Sequence, residues 1–321
     1  MNIRWLPFVL GSFGLAAAAE PPQITVVDIS QGGSMHSAAA INDWGDVVGQ
    51  GNLGSGNHAL LLRNGVLIDL ATTSNLSNSR ALSINRRGEI VGAGYDDAHA
   101  QQHAFFWDAE GIHDIHPAGS SYSYATAVND GGDVVLNLNG SVNVWKDARL
   151  TPLGAGWGEA INRRGLVVGG LYPRAILWDD DRATALDVAE SWATAVNERG
   201  DVVGYRWLSN ALAEGFVVSH GQRTALPPLA GDVVALAYGI DKHGRIVGTS
   251  IWCEFECNLP RTRAVLWQDG LPFPLPGVEG SSACVARGIN ERGEIVGTCG
   301  AWCTQSGSCG GVSRAVLWRI E

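Results

Sequence analysis

A short motif that occurs seven times constrains the fold of this 321-residue chain more than any other feature. It reads Ile/Val-Asn-x-x-Gly, continues in most copies with an acidic residue, and ends in Ile/Val-Val-Gly. The copies begin at Ile41, Ile84, Val128, Ile161, Val196, Ile240 and Ile289. Self-similarity at intervals of 33 to 49 residues is typical of repeat architectures, so the repeat is interpreted before any other motif.

The motif itself predicts a β-hairpin. An Asn at the first position of a turn can bond its own backbone downstream, and a Gly at the fourth position suits a left-handed bulge residue. Short hydrophobic strands flank the turn. Small residues lie two and four positions before the Asn, as at Ala40 and Ala38, and they mark one strand face against which a neighbour packs.

A second hairpin follows each motif. Its first strand is clearest in His-Ala-Phe-Phe-Trp at 103–107, and its second strand in Ala-Leu-Asp-Val at 185–188. Four short antiparallel strands per repeat, without a helical pattern, are typical of a propeller blade. We therefore predict an all-β fold, a seven-bladed β-propeller with four antiparallel strands in each blade.

The last repeat contains three strands and finishes at Glu321, so its fourth strand must come from elsewhere. Residues 24–29, Ile-Thr-Val-Val-Asp-Ile, resemble the fourth strands of the other repeats. We predict that they complete the last blade and close the ring, which protects the sheet edges. An open β-solenoid, which needs no such closure, is the alternative fold.

The His-Ala-Phe strand and the Asn-x-x-Gly-x-Ile-Val-Gly hairpin also carry a family resemblance. Together they resemble the HAF family of extracellular bacterial repeat proteins, and the resemblance covers essentially all of the chain after residue 19. It implies export and a repeat fold, and it implies no particular activity or catalytic residues. Repeat three departs most, with Leu136 in place of the final Gly and Val142-Asn143 in place of His-Ala, so we expect one irregular blade.

Residues 1–19 are predicted to be a signal peptide. Arg4 is the only charge there, an apolar run starts at Trp5, and Ala17-x-Ala19 offers a small-residue cleavage site. The run is shorter than the ~20 residues that a membrane-spanning helix needs, which makes a membrane anchor the weaker interpretation. We expect residues 20–321 to form a single propeller domain, monomeric, secreted or periplasmic, and not inserted in a membrane.

The charge of the chain argues against two classes of partner. The formal net charge is −10, or −11 without Arg4, and the only lysines are Lys146 and Lys242. Nucleic acids and anionic membranes both favour clustered basic side chains, and no such cluster is present in the sequence.

All six cysteines fall in the last two repeats: Cys253, Cys257, Cys284, Cys299, Cys303 and Cys309. An even number in an exported chain predicts disulfides, and the parallel Trp-Cys pairs favour Cys253–Cys257 and Cys303–Cys309 as loop staples. This leaves Cys284–Cys299 at the open end of the last hairpin, although a strict register would place Cys284 opposite Gly300. A zinc site from Cys253-x3-Cys257 and Cys299-x3-Cys303 is the alternative, but in an oxidising compartment we expect no metal.

The aromatic residues separate by position. Five tryptophans end third strands and are predicted to pack within the blades: Trp107, Trp145, Trp178, Trp267 and Trp318. The face that carries the loops between strands two and three and the links between blades is the predicted binding face. The position five before the motif Asn is predicted to lie near the mouth of the central channel and reads Ser37, Arg80, Tyr124, Trp157, Trp192, Leu236 and Val285.

The predicted ligand-binding residues combine the charged and aromatic members of that column with tryptophans of the variable segments: Arg80, Tyr124, Trp157, Trp192, Trp207, Trp252 and Trp302. Aromatic faces with few charges suit sugar rings or apolar polymer segments. The alternative is that these rings turn inward and pack between blades.

No motif in the sequence indicates a reaction or a cofactor, since Gly-x-Ser-x-Gly, His-Glu-x-x-His and the phosphate-binding Gly-x-x-x-x-Gly-Lys pattern are all absent. We therefore predict a non-catalytic binding or scaffold propeller whose ligand is a glycan or an envelope protein. A secreted carbohydrate-active hydrolase or lyase is the alternative. Its acid and base would come from loop residues that sequence spacing does not pair, namely Asp96, Asp97, His99, Glu159, Glu254 and Glu256.

Overall fold

The computed structural model describes residues 21–321 except 55, 72–75, 181, 187–188, 210–211, 253–260 and 304–308, and only the backbone at 302–303 and 309–310. The regular structure of these residues is entirely β. Seven four-stranded antiparallel sheets form a ring, because the first strand of each sheet contacts the first strands of both neighbouring sheets. The fold is therefore the predicted seven-bladed β-propeller, and the open solenoid is excluded.

Strand β1 (Ile24–Asp28) comes first in the described chain, before blade 1. Blade 1 consists of β2 (Met35–Ile41), β3 (Val47–Asn52), β4 (Asn57–Arg63) and β5 (Val66–Asp69). Blade 2 consists of β6 (Leu76–Ile84), β7 (Ile90–Asp96), β8 (Gln101–Asp108) and β9 (Gly111–Asp114). Blade 3 consists of β10 (Ser123–Val128), β11 (Val134–Leu138), β12 (Ser141–Lys146) and β13 (Arg149–Ala155).

The next three blades repeat this order. Blade 4 consists of β14 (Trp157–Ile161), β15 (Val167–Leu171), β16 (Arg174–Asp179) and β17 (Arg182–Ala185). Blade 5 consists of β18 (Ser191–Val196), β19 (Val202–Trp207), β20 (Ala213–Ser219) and β21 (Gln222–Leu226). Blade 6 consists of β22 (Val234–Ile240), β23 (Ile246–Trp252), β24 (Arg261–Gln268) and β25 (Leu271–Pro274).

Blade 7 joins the two ends of the chain. It contains β26 (Ala283–Ile289), β27 (Glu294–Gly300) and β30 (Arg314–Ile320), with β1 as its fourth strand. Val26 lies opposite Trp318 in this pairing, and the Ile29 N–H donates to the Ala315 carbonyl at 3.0 Å. The predicted closure by residues 24–29 is confirmed. Two short strands, β28 (Trp302–Cys303) and β29 (Cys309–Gly310), pair within the loop between β27 and β30.

The motif forms the predicted turn. The Asn42 side-chain oxygen accepts the backbone N–H groups of Trp44 and Asp46, each at 3.0 Å. Gly45 has a φ of +87°, a left-handed conformation that glycine adopts without strain. The equivalent glycines of the other six motifs share this conformation, at Gly88, Gly132, Gly165, Gly200, Gly244 and Gly293.

The motif Asn also links neighbouring blades, which the sequence did not predict. The Asn85 amide donates to the carbonyl of Asn129 in the next blade at 2.8 Å, and Asn129 donates to Asn162 at 3.0 Å. The bond from Asn290 to the Asn42 carbonyl, at 3.0 Å, joins blade 7 to blade 1. Each such amide is buried, so every bond satisfies a polar group that would otherwise be costly.

Blade 6 preserves this link with different residues. Asp241 replaces the motif Asn, and a carboxylate has no N–H to donate to blade 7. Arg245 occupies the position that is acidic in most repeats and pairs with Asp241 at 2.5 Å. Its guanidinium also donates to the Glu291 carbonyl of blade 7 at 3.4 Å. The two substitutions therefore compensate for each other.

Apolar side chains fill the spaces between adjacent blades. One cluster joins Ala38 and Leu60 of blade 1 to Val296 and Leu317 of blade 7. The tryptophans that end the third strands are buried or half-buried, as predicted, and Trp318 is completely buried. Its indole N–H donates to the Pro276 carbonyl at 2.7 Å, which satisfies the polar atom of a core residue.

Blade 3 has a register shift between Val142 and Asn143 in the pairing of its third and fourth strands, but it is not the one irregular blade, because blades 1 and 2 also have an additional shift between their first and second strands. Among the described residues, no helix is long and apolar enough to span a membrane.

A disulfide joins Cys284 to Cys299 across β26 and β27, with their Cα atoms 4.1 Å apart. The predicted pairing is confirmed, and the register that would place Cys284 opposite Gly300 is not adopted, because a bulge at Arg287 shifts the pairing and places Ala283 there. Since Cys299 is oxidised, it does not supply a thiolate to the alternative zinc site. Cys303 lies opposite Cys309 in the backbone register, and their pairing stays a prediction. The remaining two cysteines, Cys253 and Cys257, lie outside the described residues.

Candidate functional site

A β-bulge in every innermost strand aims one side chain at the axis of the ring. In each blade the pairing of the first and second strands skips the residue three positions before the motif Asn. A bulge residue has no partner in the strand ladder, so its side chain leaves the alternation of the strand. The seven bulge residues are Ala39, Leu82, Thr126, Glu159, Thr194, Tyr238 and Arg287.

All seven bulge residues line one cavity of about 1000 Å³ in the central channel. The lining also includes the start of β2, at His36, and the end of β19, at Trp207. These strand ends adjoin the loops between second and third strands, so we call this part of the channel the loop end. The opposite end, where the motif turns lie, is the turn end.

The lining of the cavity is asymmetric. Blades 1 and 2 contribute small or aliphatic bulge residues, Ala39 and Leu82. Blades 4, 6 and 7 contribute Glu159, Tyr238 and Arg287. The large polar bulge residues therefore lie on blades 4, 6 and 7, which we call the polar wall, whereas the polar lining of blades 1 and 2 comes from other positions, such as His36 and Arg80.

Glu159 is the central group of the polar wall. Its carboxylate accepts the indole N–H of Trp192 at 2.9 Å. Gly170 leaves room for that ring, because a Cβ added there would lie 2.3 Å from Trp192 Cε3. Glu159 keeps some surface on the cavity, but the dense channel wall disfavours its charged form and raises its pKa to about 7, against the opposing effects of Trp192 and Arg287.

Arg287, Tyr238 and Tyr205 surround this carboxyl group. The Arg287 guanidinium lies over the Tyr238 ring, 4.6 Å from its centroid, as a cation–π pair. Burial raises the pKa of the Tyr205 hydroxyl to about 12, and the nearby Tyr238 and Glu159 act in the same direction. Burial also raises the pKa of Tyr238. Both phenols therefore stay protonated near neutral pH and are able to donate hydrogen bonds.

The residues that were predicted to lie at the channel mouth, five positions before the motif Asn, do not all lie in the cavity lining. Arg80 and Trp192 line the cavity, together with Ser37 and Leu236. Tyr124 and Trp157 lie next to it in a stack, since Arg80 is 5.5 Å from the Tyr124 ring centroid and the two aromatic rings are 5.4 Å apart. The prediction is wrong for blade 7, because Val285 at this position is completely buried in the core.

The other predicted binding residues have different surroundings. Trp207 lines the cavity and packs edge-on against Tyr205 at 5.7 Å. Trp252 ends β23 and lies under Arg261, 5.3 Å from ring centroid to guanidinium, outside the cavity lining. The Trp302 side chain lies outside the described residues.

The loop carboxylates are not gathered into one site. Glu159 is the single carboxylate among the described residues that line the cavity. Asp96 accepts a hydrogen bond from His99, and Asp97 accepts the Ser77 hydroxyl at 2.8 Å, both away from that lining. The other two, Glu254 and Glu256, lie outside the described residues.

The turn end carries a ring of charged side chains that was not predicted from the sequence. The residue after each motif Asn alternates in sign around the ring: Asp43, Arg86, Asp130, Arg163, Glu198, Lys242 and Glu291. Asp130 joins Arg86 at 3.8 Å and Arg163 at 2.8 Å, so neighbouring blades are paired. An odd number of blades forces one break, where the Glu291 backbone N–H donates to Asp43 at 2.9 Å.

These paired charges leave only a small cavity of about 160 Å³ at the turn end. Both the charges of the turn end and the bulge residues of the cavity can be read from the sequence when the seven repeats are aligned. The position after the Asn alternates in charge from repeat to repeat. The position three before the Asn is occupied by Glu159, Tyr238 and Arg287 in repeats 4, 6 and 7. Neither position follows the period of two on which strand patterns are usually judged.

Comparison with solved structures shows the fold and nothing finer. Virginiamycin B lyase from Staphylococcus aureus aligns with a TM-score of 0.59 at 9% identity, covering 93% of this chain and 99% of that protein. The β-propeller domain of the Trilobed protease from Pyrococcus furiosus aligns with a TM-score of 0.58 at 12% identity, covering 89% and 95%. No protein family and no curated protein matches the sequence.

Proposed function

We propose that the protein is a non-catalytic binding propeller and that its ligand is a glycan held at the loop end of the channel. One observation carries this proposal: a cavity of about 1000 Å³ is lined by Trp192, Tyr205, Trp207 and Tyr238 together with few charged groups. Binding sites for small ligands combine such aromatic walls with a few convergent polar groups and perturbed pKa values. Sugar rings suit this lining, because they stack on aromatic faces and form hydrogen bonds at their edges.

The stack of Arg80, Tyr124 and Trp157 supports the same conclusion. It extends the aromatic surface beside the cavity across blades 2, 3 and 4. The two aromatic rings are half-buried and Arg80 is exposed, so the stack is not part of the interblade core. A ligand larger than the cavity would contact this surface next.

The hydrolase alternative receives less support. Hydrolysis of a glycosidic bond ordinarily requires two carboxyl groups about 5 to 10 Å apart. The described lining of the cavity supplies Glu159 and no second carboxyl group. An exported scaffold that binds another envelope protein needs no such cavity, so it explains less of the structure.

We also propose that the protein is exported. The disulfide between Cys284 and Cys299 supports this, because structural disulfides persist mainly in oxidising compartments. Fractionation of the producing cells, with non-reducing peptide mapping of the recovered protein, checks both points. Recovery of a reduced protein from the cytoplasm would contradict export.

The proposed function is tested by binding of the purified protein to an array of bacterial and plant glycans, with product release measured in the same wells. We expect binding without products. Trp192→Ala should abolish the binding and leave the melting temperature within a few degrees, because Trp192 faces the cavity. Release of products would contradict the non-catalytic assignment and favour the hydrolase or lyase.

Trp44→Ala is the matched control. Trp44 lies in the motif turn of blade 1 and is 73% exposed, at the opposite end of the channel. Its loss removes an indole of equal size without touching the cavity, so binding should be unchanged. Equal loss of binding in both variants would show that the cavity is not the site.

A further inference from the structure

We propose that the ligand of the loop end carries a carboxylate, as in a uronic acid or another acidic sugar, and that the polar wall of Glu159 and Arg287 recognises this group. The proposal rests on the glycan-binding function above and names the class of glycan.

The charge of the cavity is opposite to that of the chain. The whole chain has a formal net charge of −10. The described residues that line the cavity include two arginines, Arg80 and Arg287, and one carboxyl group, Glu159. A cleft with an excess of cations focuses field lines in its low-dielectric interior and attracts anions, even when the surrounding protein is acidic.

The turn end provides an internal comparison. Its small cavity is lined by four carboxylates, Asp43, Asp130, Glu198 and Glu291, and by two arginines. Those arginines already form ion pairs with carboxylates of adjacent blades. The four carboxylates and the paired arginines therefore disfavour an anionic ligand at the turn end.

The positions of the side chains suit a carboxylate. Arg287 is held on the face of Tyr238, an arrangement that fixes the guanidinium while its planar N–H groups remain suited to a carboxylate. One oxygen of Glu159 accepts from Trp192, which fixes the carboxyl group in the wall. A ligand carboxylate seated there would accept from Arg287 and from Glu159 in its protonated form.

Small and aliphatic side chains leave space in the cavity for the ring of the sugar. Ala39 and Leu82 are the bulge residues of blades 1 and 2, and neither carries a charge. A sugar with its carboxylate on Arg287 would place its ring between these two side chains and the indoles of Trp192 and Trp207.

The arrangement makes affinity depend on pH. While Glu159 is protonated, it is neutral and donates a hydrogen bond; once ionised, it repels the ligand carboxylate and offsets Arg287. Its pKa of about 7 places this change near neutral pH. The charged or titratable groups that face Glu159 are Arg287, Tyr205 and Tyr238, and across the cavity lie His36 and Arg80.

Calorimetric titration with matched sugars tests the proposal. The probes are glucuronate with glucose and galacturonate with galactose, as monomers and short oligomers, at pH 5.5 and pH 8.5. We expect the acidic member of each pair to bind at least tenfold more tightly at pH 5.5, and this preference to shrink several-fold at pH 8.5.

Two variants separate recognition from folding. Arg287→Gln should weaken binding of the acidic sugars at least tenfold and change binding of the neutral sugars less than threefold. Glu159→Gln keeps the shape and a donor, so it should retain the preference for acids and remove its pH dependence. His36→Gln is the control for the histidine of the lining and should retain the pH dependence. Melting curves confirm that each variant is folded.

The outcomes distinguish this proposal from the function on which it rests. Equal affinity for acidic and neutral sugars would overturn the carboxylate assignment and leave the glycan-binding function standing. Equal weakening of both sugars by Arg287→Gln would also overturn it. Failure of every sugar to bind the folded wild-type protein would overturn both proposals.

Discussion

The two ends of the central channel are built from the same repeat and differ in what their charges contact. At the turn end, acidic and basic side chains alternate between blades and pair with one another, as Arg163 does with Asp130 at 2.8 Å. At the loop end, Arg287 lies on the Tyr238 ring and Glu159 accepts from an indole. The turn end therefore links neighbouring blades, and the loop end is where we propose that the ligand binds.

The cause is a difference of four positions along the repeat, from three before the Asn to one after it. The residue after the Asn lies in a tight turn, close to its counterparts in both neighbouring blades, so ion pairs and backbone hydrogen bonds form there. The residue three before the Asn is a bulge that lines the channel cavity, and its contacts differ from blade to blade: Thr194 donates to the Ala237 carbonyl, whereas Arg287 lies over the Tyr238 ring. Variation around the ring is therefore large at the loop end and takes a simple alternating form at the turn end.

The largest expected effect comes from breaking the ring itself. Deletion of residues 20–30 removes β1 and leaves β30 with an exposed edge in blade 7. We expect an unstable protein that aggregates, because an unpaired strand edge is a template for association. Circular dichroism and light scattering measure this, and a cooperative melt at the wild-type temperature would contradict closure by β1.

Asn290→Ala tests whether the turn end supplies stability independently of β1. Its side chain makes four hydrogen bonds, including one to the Asn42 carbonyl of blade 1 at 3.0 Å. We expect a loss of about 2 to 4 kcal/mol in the free energy of unfolding, since a buried bond contributes about 1 kcal/mol each. Ligand binding at the loop end should be unaffected.

Asn52→Ala serves as the control for this variant. Asn52 is exposed and its side chain accepts one backbone bond, from Gly54 at 2.7 Å. Its loss should cost less than about 1 kcal/mol. Similar denaturation midpoints for the two variants would show that the link between blades contributes little.

Glu159→Gln sharpens the comparison through pH. The folded-state pKa of about 7 lies above the ordinary value of 4.5, so between these two values the folded chain holds a proton that the unfolded chain has lost. Stability therefore falls as pH rises from about 4.5 to 7, by at most about 3 kcal/mol and by less where cavity water screens the carboxylate. The variant should lose this dependence.

Thermal melting of the wild type and the variant between pH 5 and pH 8.5 measures the difference. The variant should become progressively more stable than the wild type as pH rises. Glu279→Gln, an exposed carboxyl group outside the cavity lining, should leave the pH profile of the wild type unchanged. Parallel profiles for wild type and Glu159→Gln would contradict the raised pKa.

The smallest effect is expected for a single charge of the turn end. Arg163→Gln removes partly exposed ion pairs to Asp130 and Glu198. Such pairs contribute less than about 1 kcal/mol and weaken as salt is added. Urea denaturation at low and high salt should show a small difference that disappears at high salt, and a loss above 2 kcal/mol would show that the ring acts as a cooperative network.

The fold was predictable from sequence because each element depends on local chemistry. The Asn and Gly of the motif specify a turn at Asn42 to Gly45 without reference to the rest of the chain. The missing fourth strand of the last repeat then indicated closure by residues 24–29, which the pairing of β1 with β30 confirms. The interblade bonds of the Asn amides were not predictable, because they depend on how blades are arranged in space.

The site was predicted less completely, for a geometric reason. The sequence placed the channel mouth five residues before the Asn and so identified Trp192 and Arg80, both in the cavity lining. From the sequence, Glu159 was predicted only as one of several loop carboxylates, and Arg287 and Tyr238 were not predicted as site residues. A bulge breaks the alternation of side chains along a strand, and the alternation was the only available guide to which residues share a face.

The most direct test of the account measures binding and stability on the same preparations of Trp192→Ala and Asn290→Ala. Binding is measured on the glycan array and with the acidic sugars by calorimetry, and stability by thermal melting. The account predicts that Trp192→Ala loses binding and keeps its melting temperature within a few degrees, while Asn290→Ala melts lower and binds normally. Loss of binding and stability together in both variants would contradict the division of the channel into a structural end and a binding end.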